Sequence, residues 1–179
     1  TRFDRVGEIL SHGLDANDPR LMPIEDFTRN CQRVLIAGST WPEDEELLAQ
    51  YMEHAELTDT KLILVPHEID EKHLHYIFQR FQGRFVRYSR ATSTSLIHAK
   101  VLVMDTMGLL SSVYRFGQAA YIGGGFGAGI HNTIEAAVYG MPVVFGPRYH
   151  HFREAQGLID ANAARSIKNY KELEEALDT

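Results

Sequence analysis

Short apolar runs alternate with amphipathic segments along most of the chain. The runs cover residues 34–37, 62–65, 85–88, 101–104, 119–122 and 143–145. Most are continuously apolar, which is typical of strands buried on both faces of a parallel sheet. Because a helical pattern follows nearly every run, we predict an α/β fold, a Rossmann-like doubly wound parallel sheet with helices on both faces.

The segments between the runs predict helices over residues 43–56, 70–81, 109–116, 132–139, 152–160 and 171–177. Thr40 is the expected N-cap of the first of these helices, Asp70 caps the second, and Gly140 closes the helix that begins at Asn132. Residues 1–30 do not follow the strand–helix pattern. We interpret them as a helix and polar connector from a preceding N-terminal domain, with residues 31–179 forming the α/β domain.

Composition excludes several classes of protein. The net charge of −6 gives no support for a nucleic-acid-binding face. With Cys31 as the single cysteine, no internal disulfide is possible. No apolar stretch approaches the roughly 20 residues that a membrane span needs. The chain starts with Thr1, without Met, as a piece of a longer protein would.

A glycine-rich loop, residues 123–129, is the strongest chemical feature, with Gly at five of its seven positions. Backbone without side chains can approach a ligand closely. The predicted helix follows directly, and free amides at a helix N-terminus favour a phosphate. The P-loop pattern fails at Ile130-His131, so this is no Walker loop. The alternative is a flexible turn with an ordinary cap at Asn132.

Glu135 and His131 each have two interpretations. Glu135 is either a capping-box glutamate that reaches back to the helix start or a carboxylate that accepts the hydroxyls of a ribose. His131 either donates to a phosphate or fills the turn. Neither the nine histidines nor the cysteine has the spacing of a metal site, and no G-x-S-x-G elbow is present. We expect no metal and no cofactor.

Taken together, the motifs resemble the C-terminal domain of the 3-deoxy-D-manno-octulosonic acid (Kdo) transferases. The similar positions are Asp105-Thr106-Met107-Gly108, Tyr114, Tyr121-Ile122-Gly123-Gly124, His131-Asn132-x-x-Glu135, Gly140-x-Pro142-Val143, Gly146-Pro147 and Phe152-x-Glu154. Residues 1–6 and the segment from Gly38 through the acidic run at 43–46 are also similar. The resemblance covers nearly the whole chain, and residues 105–154 are its specific part.

The resemblance implies the C-terminal half of a GT-B glycosyltransferase, which moves Kdo from the donor substrate CMP-Kdo to a lipid A precursor in lipopolysaccharide biosynthesis. It also implies that the full-length protein works at the cytoplasmic face of the bacterial inner membrane. The acceptor, the membrane contact and the catalytic base belong to the N-terminal domain of the family. We therefore expect donor binding without transfer from this chain alone.

The resemblance assigns residues to the donor. The loop up to Asn132 meets the phosphate, Glu135 meets the ribose, and the loops after three other strands line the nucleotide pocket. The expected donor-binding residues are Ser39, Thr40, His67, Met107, Gly108, Gly124, Gly125, Gly127, Gly129, His131, Asn132 and Glu135.

The chain departs from the family pattern beside His67. The family often has Pro-Arg-His where this chain has Pro66-His67-Glu68, so an arginine is missing. Arg148 either supplies positive charge in its place or is an ordinary surface arginine. Two other functions stay open: half of a UDP-sugar epimerase with the same fold, and a nucleotide-binding regulatory module that is not an enzyme.

Overall fold

A seven-stranded parallel sheet forms the centre of the computed structural model, which describes residues 14–55 and 59–178. The strand order is β3-β4-β2-β1-β5-β6-β7. The strands are β1 (Arg33–Thr40), β2 (Thr60–Pro66), β3 (Val86–Arg87), β4 (Val101–Val103), β5 (Ala119–Ile122), β6 (Val143–Phe145) and β7 (Ala164–Ser166). The predicted doubly wound α/β fold is confirmed, and the order of strands reverses between β1 and β5.

Helices cover both faces of this sheet. They are α1 (Met22–Thr28), α2 (Pro42–His54), α3 (Glu71–Arg80), α4 (Ser93–His98), α5 (Leu110–Val113), α6 (Ile134–Ala137), α7 (Arg153–Asp160) and α8 (Tyr170–Asp178). Strand β1 shows why both faces are needed. Val34 and Ile36 pack into the core on one face, while Leu35 and Ala37 pack into the core on the other.

Two predicted helices are shorter than the sequence indicated. The helix expected over 109–116 is α5 followed by a 3₁₀ turn at Tyr114–Phe116. The helix expected over 132–139 is reduced to the four residues of α6, and its N-cap is Thr133. Asn132 accepts the amide proton of Ile134 just before the helix. The expected cap at Asn132 is therefore wrong by one position.

Of the N-caps predicted for α2 and α3, only the one for α3 is correct. Asp70 caps α3 by accepting the amide proton of His73, as predicted. Thr40 does not cap α2, because Trp41 is the N-cap residue and the Asp44 carboxylate accepts its amide proton at 2.9 Å. The Thr40 hydroxyl turns instead toward Glu45 inside the fold.

Residues 14–30 pack on the same core as the sheet. In α1 and the turn before it, Leu21, Ile24 and Phe27 have no exposed surface. Lys61 of β2 donates to the carbonyl oxygen of Phe27 at 2.7 Å, which fastens α1 to the sheet. Residues 1–13, which include the segment similar to the opening of the family's domain, lie outside the described residues, as does Glu56 at the predicted end of α2.

Candidate functional site

The candidate site lies at the carboxyl ends of β1 and β5, where the strand order reverses. Parallel α/β sheets bind ligands at this point because the loops after the two strands diverge and leave a crevice. Ser39 breaks the pairing of β1 with β2 through a bulge between Gly38 and Thr40. It has a positive φ of 55°, a backbone conformation that is costly for a residue with a side chain.

Two adjoining cavities open at this edge. The large cavity, about 310 Å³, is lined by Ser39, Gly108, Leu110, Ser111, Tyr114, Ile122, His131, Asn132 and Glu135. The small cavity, about 140 Å³, is lined by residues from the loops after β1, β2 and β4, among them Ser39, His67, Thr106, Met107 and Gly108. The two cavities share Ser39, Gly108 and Leu110, so they adjoin, and together we call them the cleft.

The cleft collects many of the residues predicted from the sequence. Those that line it are Ser39, His67, Met107, Gly108, His131, Asn132 and Glu135. Thr40, Gly124, Gly125, Gly127 and Gly129 do not line it. Sequence reasoning missed Ser111 and Leu110, and it used Tyr114 only as a motif position. Tyr114 is buried under the large cavity, and burial together with the nearby charge of Glu135 raises its pKa.

Glu135 contributes an unengaged carboxylate to the large cavity. Within residues 14–55 and 59–178 it accepts no hydrogen bond and forms no ion pair, so the capping-box interpretation is not supported. Partial burial raises the pKa of its carboxyl group. Partial burial removes water from the carboxylate at a cost in free energy. Hydrogen bonds from a ligand with hydroxyl groups would offset this cost.

Several backbone amides of the glycine-rich loop form hydrogen bonds within the protein. The amide of Gly124 donates to Asp44, and the amides of Gly127 and Gly129 both donate to the carbonyl of Gly124. These three groups are therefore not free to bind a phosphate, contrary to the role that the sequence suggested for the loop. The amide of His131 is also used, by the carbonyl of Gly123.

The amides of Asn132, which lines the large cavity, and of the next residue, Thr133, are different. Those of Asn132 and Thr133 have no hydrogen-bond partner within the described part of the chain. Helix α6 has only four residues, so its dipole is weaker than the longer predicted helix would supply. Binding of an anion here would depend on direct N–H bonds.

Gly125 packs closely against the loop after β6 at this edge of the sheet. A Cβ atom placed on it would lie 2.6 Å from the backbone of Gly146, the residue after β6. Arg148 holds the loop from the same side, with its amide donating to the carbonyl of Gly125 and its guanidinium Nη1 donating to the carbonyl of Gly127. Arg148 is thus bound to the loop backbone, and the loops after β5 and β6 are joined.

Three aromatic rings stand beside the large cavity. Trp41 and His67 are stacked, with ring centroids 4.4 Å apart, and His67 and His131 are 4.7 Å apart. The indole Nε1 of Trp41 donates to Nε2 of His131 at 3.3 Å. Burial and the neighbouring His67 lower the pKa of His131. The sequence indicated His67 and His131, whereas Trp41 was seen only as a motif position.

Thr40 belongs to a buried polar group behind the cleft. Its hydroxyl donates to Oε2 of Glu45 at 2.9 Å, and Nε2 of His73 lies 2.6 Å from Oε1 of the same carboxylate. Burial raises the pKa of Glu45, although the contacts with His73 and Thr40 oppose that effect. Thr40 therefore positions the start of α2 and does not present its hydroxyl to the cleft.

Asp105 anchors the loop after β4 to the segment that follows β3. Its carboxylate accepts the amide and hydroxyl protons of Ser89 and is paired with Nε of Arg87 at 3.0 Å. Gly108 has a positive φ of 88°, which brings the loop back over the cleft. Met107 is 68% exposed at the rim of the small cavity. An exposed apolar side chain at that rim is suited to contact a flat ring.

Other chemistry is not assembled in the described structure. Across residues 14–55 and 59–178, no three His, Cys, Asp or Glu side chains are grouped so that they could hold a metal ion. No helix in the same ranges is long and apolar enough to cross a bilayer. The Cys31 thiol is partly buried and donates to the carbonyl of Arg33, as expected of a small residue beside a strand.

Similarity to known proteins supports one family. A 3-deoxy-D-manno-octulosonic acid transferase of Rickettsia prowazekii is 29% identical over 150 residues, 79% of this chain and 32% of that protein. One from Chlamydia muridarum is 30% identical over 121 residues, 66% of this chain and 28% of that protein. The chain is related to the Kdo transferases. It covers about a third of their length, and no family model matches it.

A solved structure shares the fold of this chain. The C-terminal CMP-Kdo binding domain of WaaA from Acinetobacter baumannii superposes with a TM-score of 0.71 at 23% identity, covering 97% of this chain and 86% of that one. The sheet and its helices therefore share the Rossmann-like fold of that domain. The resemblance to the Kdo transferases and the predicted fold are both confirmed.

Proposed function

We propose that this chain is the donor-binding domain of a glycosyltransferase that transfers Kdo from CMP-Kdo to a lipid A precursor in lipopolysaccharide biosynthesis. One observation carries the proposal: the unengaged carboxylate of Glu135 faces a cavity at the β1–β5 crevice, in a chain related to Kdo transferases. That position and that group fit the ribose of a nucleotide.

The rest of the cleft fits the remaining parts of CMP. The amides of Asn132 and Thr133, which have no partner among the described residues, would supply donors for the phosphate beside Glu135. The small cavity, with Met107 at its rim and His67 in its lining, suits a pyrimidine ring. In the reaction, this domain would hold the phosphate as the bond to the sugar breaks and negative charge develops there. Preorganised N–H donors are effective at that task.

The rest of the reaction is proposed for the part of the full-length protein outside this chain. We infer that the acceptor site, the catalytic base and the membrane contact at the cytoplasmic face lie there. Because the chain covers 32% of the length of the Rickettsia prowazekii relative, donor binding is the activity to measure on the chain itself.

Calorimetric titration with CMP, UDP and NAD tests this proposal. We expect CMP to bind most tightly and the Glu135→Gln variant to lose about tenfold in affinity, because the amide is uncharged and has one acceptor oxygen in place of two. The matched control is Glu25→Gln, an exposed glutamate on α1 outside both cavities, which should bind CMP as the wild type does.

The other outcomes separate the rival functions. Tighter binding of UDP than CMP would favour a UDP-sugar epimerase. Tightest binding of NAD would favour a regulatory module. Equal affinity of the Glu135→Gln variant and the wild type for CMP would remove Glu135 from the site.

A further inference from the structure

The bond between Trp41 and His131 determines where His131 carries its proton. An indole N–H is a donor and has no acceptor capacity. Since Trp41 Nε1 lies 3.3 Å from Nε2 of His131, Nε2 must accept, and it can do so only when it bears no proton. A neutral imidazole whose Nε2 is an acceptor has its hydrogen on Nδ1.

We propose that Trp41 is a positioning residue that keeps His131 neutral and protonated at Nδ1, so that Nδ1–H donates to the phosphate of the bound nucleotide. The inference rests on the proposed function, since it assigns a role at the same site. His131 lines the large cavity, and no partner for its Nδ1 exists among the described residues.

The surroundings of His131 support this state. His67 stacks on Trp41 and lies 4.7 Å from His131, so two imidazolium charges would repel each other. The carboxylate of Asp44 accepts the backbone amide of Trp41 and fixes the residue that holds the ring. Glu135 shares the cavity and is the one carboxylate in its lining that could favour a charged His131.

A neutral donor suits a site that must release its product. A hydrogen bond from Nδ1–H orients the phosphate without a full positive charge, which would hold the CMP product more strongly. The adjacent amides of Asn132 and Thr133 give two further neutral donors. The cleft would thus bind its anion through oriented, neutral N–H groups.

Nuclear magnetic resonance of the ¹⁵N-labelled protein tests the inference without a variant. Long-range ¹H–¹⁵N correlations distinguish the two neutral tautomers and the imidazolium form. We expect His131 to show Nδ1–H at pH 7. The Nε2–H tautomer or a charged ring at that pH would overturn the proposal.

Two substitutions then test the role in binding. Trp41→Phe keeps a ring to stack on His67 but removes the indole N–H, so we expect His131 to become a mixture of tautomers. Affinity for CMP should fall about threefold to tenfold, the effect of one hydrogen bond, while affinity for cytidine, which has no phosphate, stays the same. Unchanged CMP affinity, or an equal loss for cytidine, would contradict the assignment.

Replacement of His131 itself gives a rescue test. An Asn amide is attached at the same carbon as Nδ1, whereas a Gln amide extends one bond further, toward the position of Nε2. His131→Asn should therefore retain more CMP affinity than His131→Gln, and the reverse order would overturn the inference. Failure of the wild type to bind CMP would reject the proposed function, while the tautomer measurement would still test the Trp41–His131 relationship.

Discussion

The Asp44 carboxylate at the start of α2 accepts the amide proton of Gly124 in the glycine-rich loop at 3.0 Å. The same carboxylate accepts the hydroxyl proton of Tyr121 and the amide proton of Trp41. It is 1% exposed, and burial raises its pKa despite these three donors. One side chain therefore holds together the end of β5, the loop after it and the first turn of the helix after β1.

We predict that Asp44→Ala lowers the free energy of unfolding by about 3 kcal/mol, because it leaves buried donors without an acceptor. Chemical denaturation followed by circular dichroism measures this change. Tyr121→Phe, which removes one of the three donors, should cost less than Asp44→Ala. The control is Glu43→Ala in the same helical turn, which is exposed and should change stability by less than about 1 kcal/mol. Equal effects of the alanine variants at 43 and 44 would refute the anchoring role.

Two glycines of one loop should respond differently to alanine. Gly125→Ala places a Cβ atom 2.6 Å from the Gly146 backbone, so the loops after β5 and β6 must separate. We expect a loss of about 2 kcal/mol in stability, typical of overpacking, together with weaker CMP binding. Gly127→Ala meets its nearest neighbour, the Gly124 carbonyl oxygen, at 3.9 Å and should be neutral. Thermal unfolding of both variants measures these changes in stability. If Gly127→Ala were destabilised while Gly125→Ala kept the stability of the wild type, the packing role of Gly125 would be contradicted.

The free energy of unfolding should depend on pH through Asp105. Burial opposes its ionisation, but the hydrogen bonds from Ser89 and the pairing with Arg87 outweigh burial and hold its pKa below the ordinary value of 3.8. A depressed carboxyl pKa stabilises the folded state above the ordinary value, and that contribution is lost as pH falls through the lower folded value. Urea denaturation should show the wild type about 2 kcal/mol more stable than Asp105→Asn at pH 7, with a smaller difference at pH 3.

The control for Asp105 is Asp160→Asn. The Asp160 carboxylate is exposed and accepts from the Gln156 amide of its own helix. The free energy of unfolding of Asp160→Asn should differ little from that of the wild type at pH 7 and at pH 3. A difference for Asp105→Asn that stays constant between pH 7 and pH 3 would argue against an ionised Asp105 as the source.

Binding of CMP should also depend on pH through Glu135. The pKa of its carboxyl group is raised from 4.5 by burial, and only the ionised form offers the ribose hydroxyls a charged group with two acceptor oxygens. The contribution of Glu135 to the affinity should therefore be constant above the raised pKa and should fall as pH decreases through it. Because CMP itself titrates, the comparison is with Glu135→Gln over the same pH range. A similar acid decrease in both proteins would exclude Glu135 as its source.

Apolar runs predicted the inner part of the sheet well, because β1, β2 and β5 are buried on both faces and need continuous apolar residues. The edge strand β7 was missed. Its Arg165 is exposed, and three residues beside one neighbouring strand do not form an apolar run. Helix α4 was missed for a similar reason, since Leu96 is its only buried residue.

At the site, sequence motifs indicated which loops meet but not how their polar groups are used. Glu135 and His131 were found because their types and spacing indicate ligand chemistry. The use of the Gly124 amide by Asp44 depends on a contact between residues 80 positions apart, which no local pattern reveals. Trp41 was overlooked as a site residue for the same reason, since its partner His131 is 90 positions away.

Trp41 is the single tryptophan of the chain, and it stands next to the cleft with its ring stacked on His67. Its fluorescence is therefore a built-in optical signal from this one place in the molecule. Entry of a ligand beside His131, or a change of charge on either imidazole, should alter the emission without any attached dye. Ligand occupancy could then be followed in real time, at concentrations far below those that calorimetry needs.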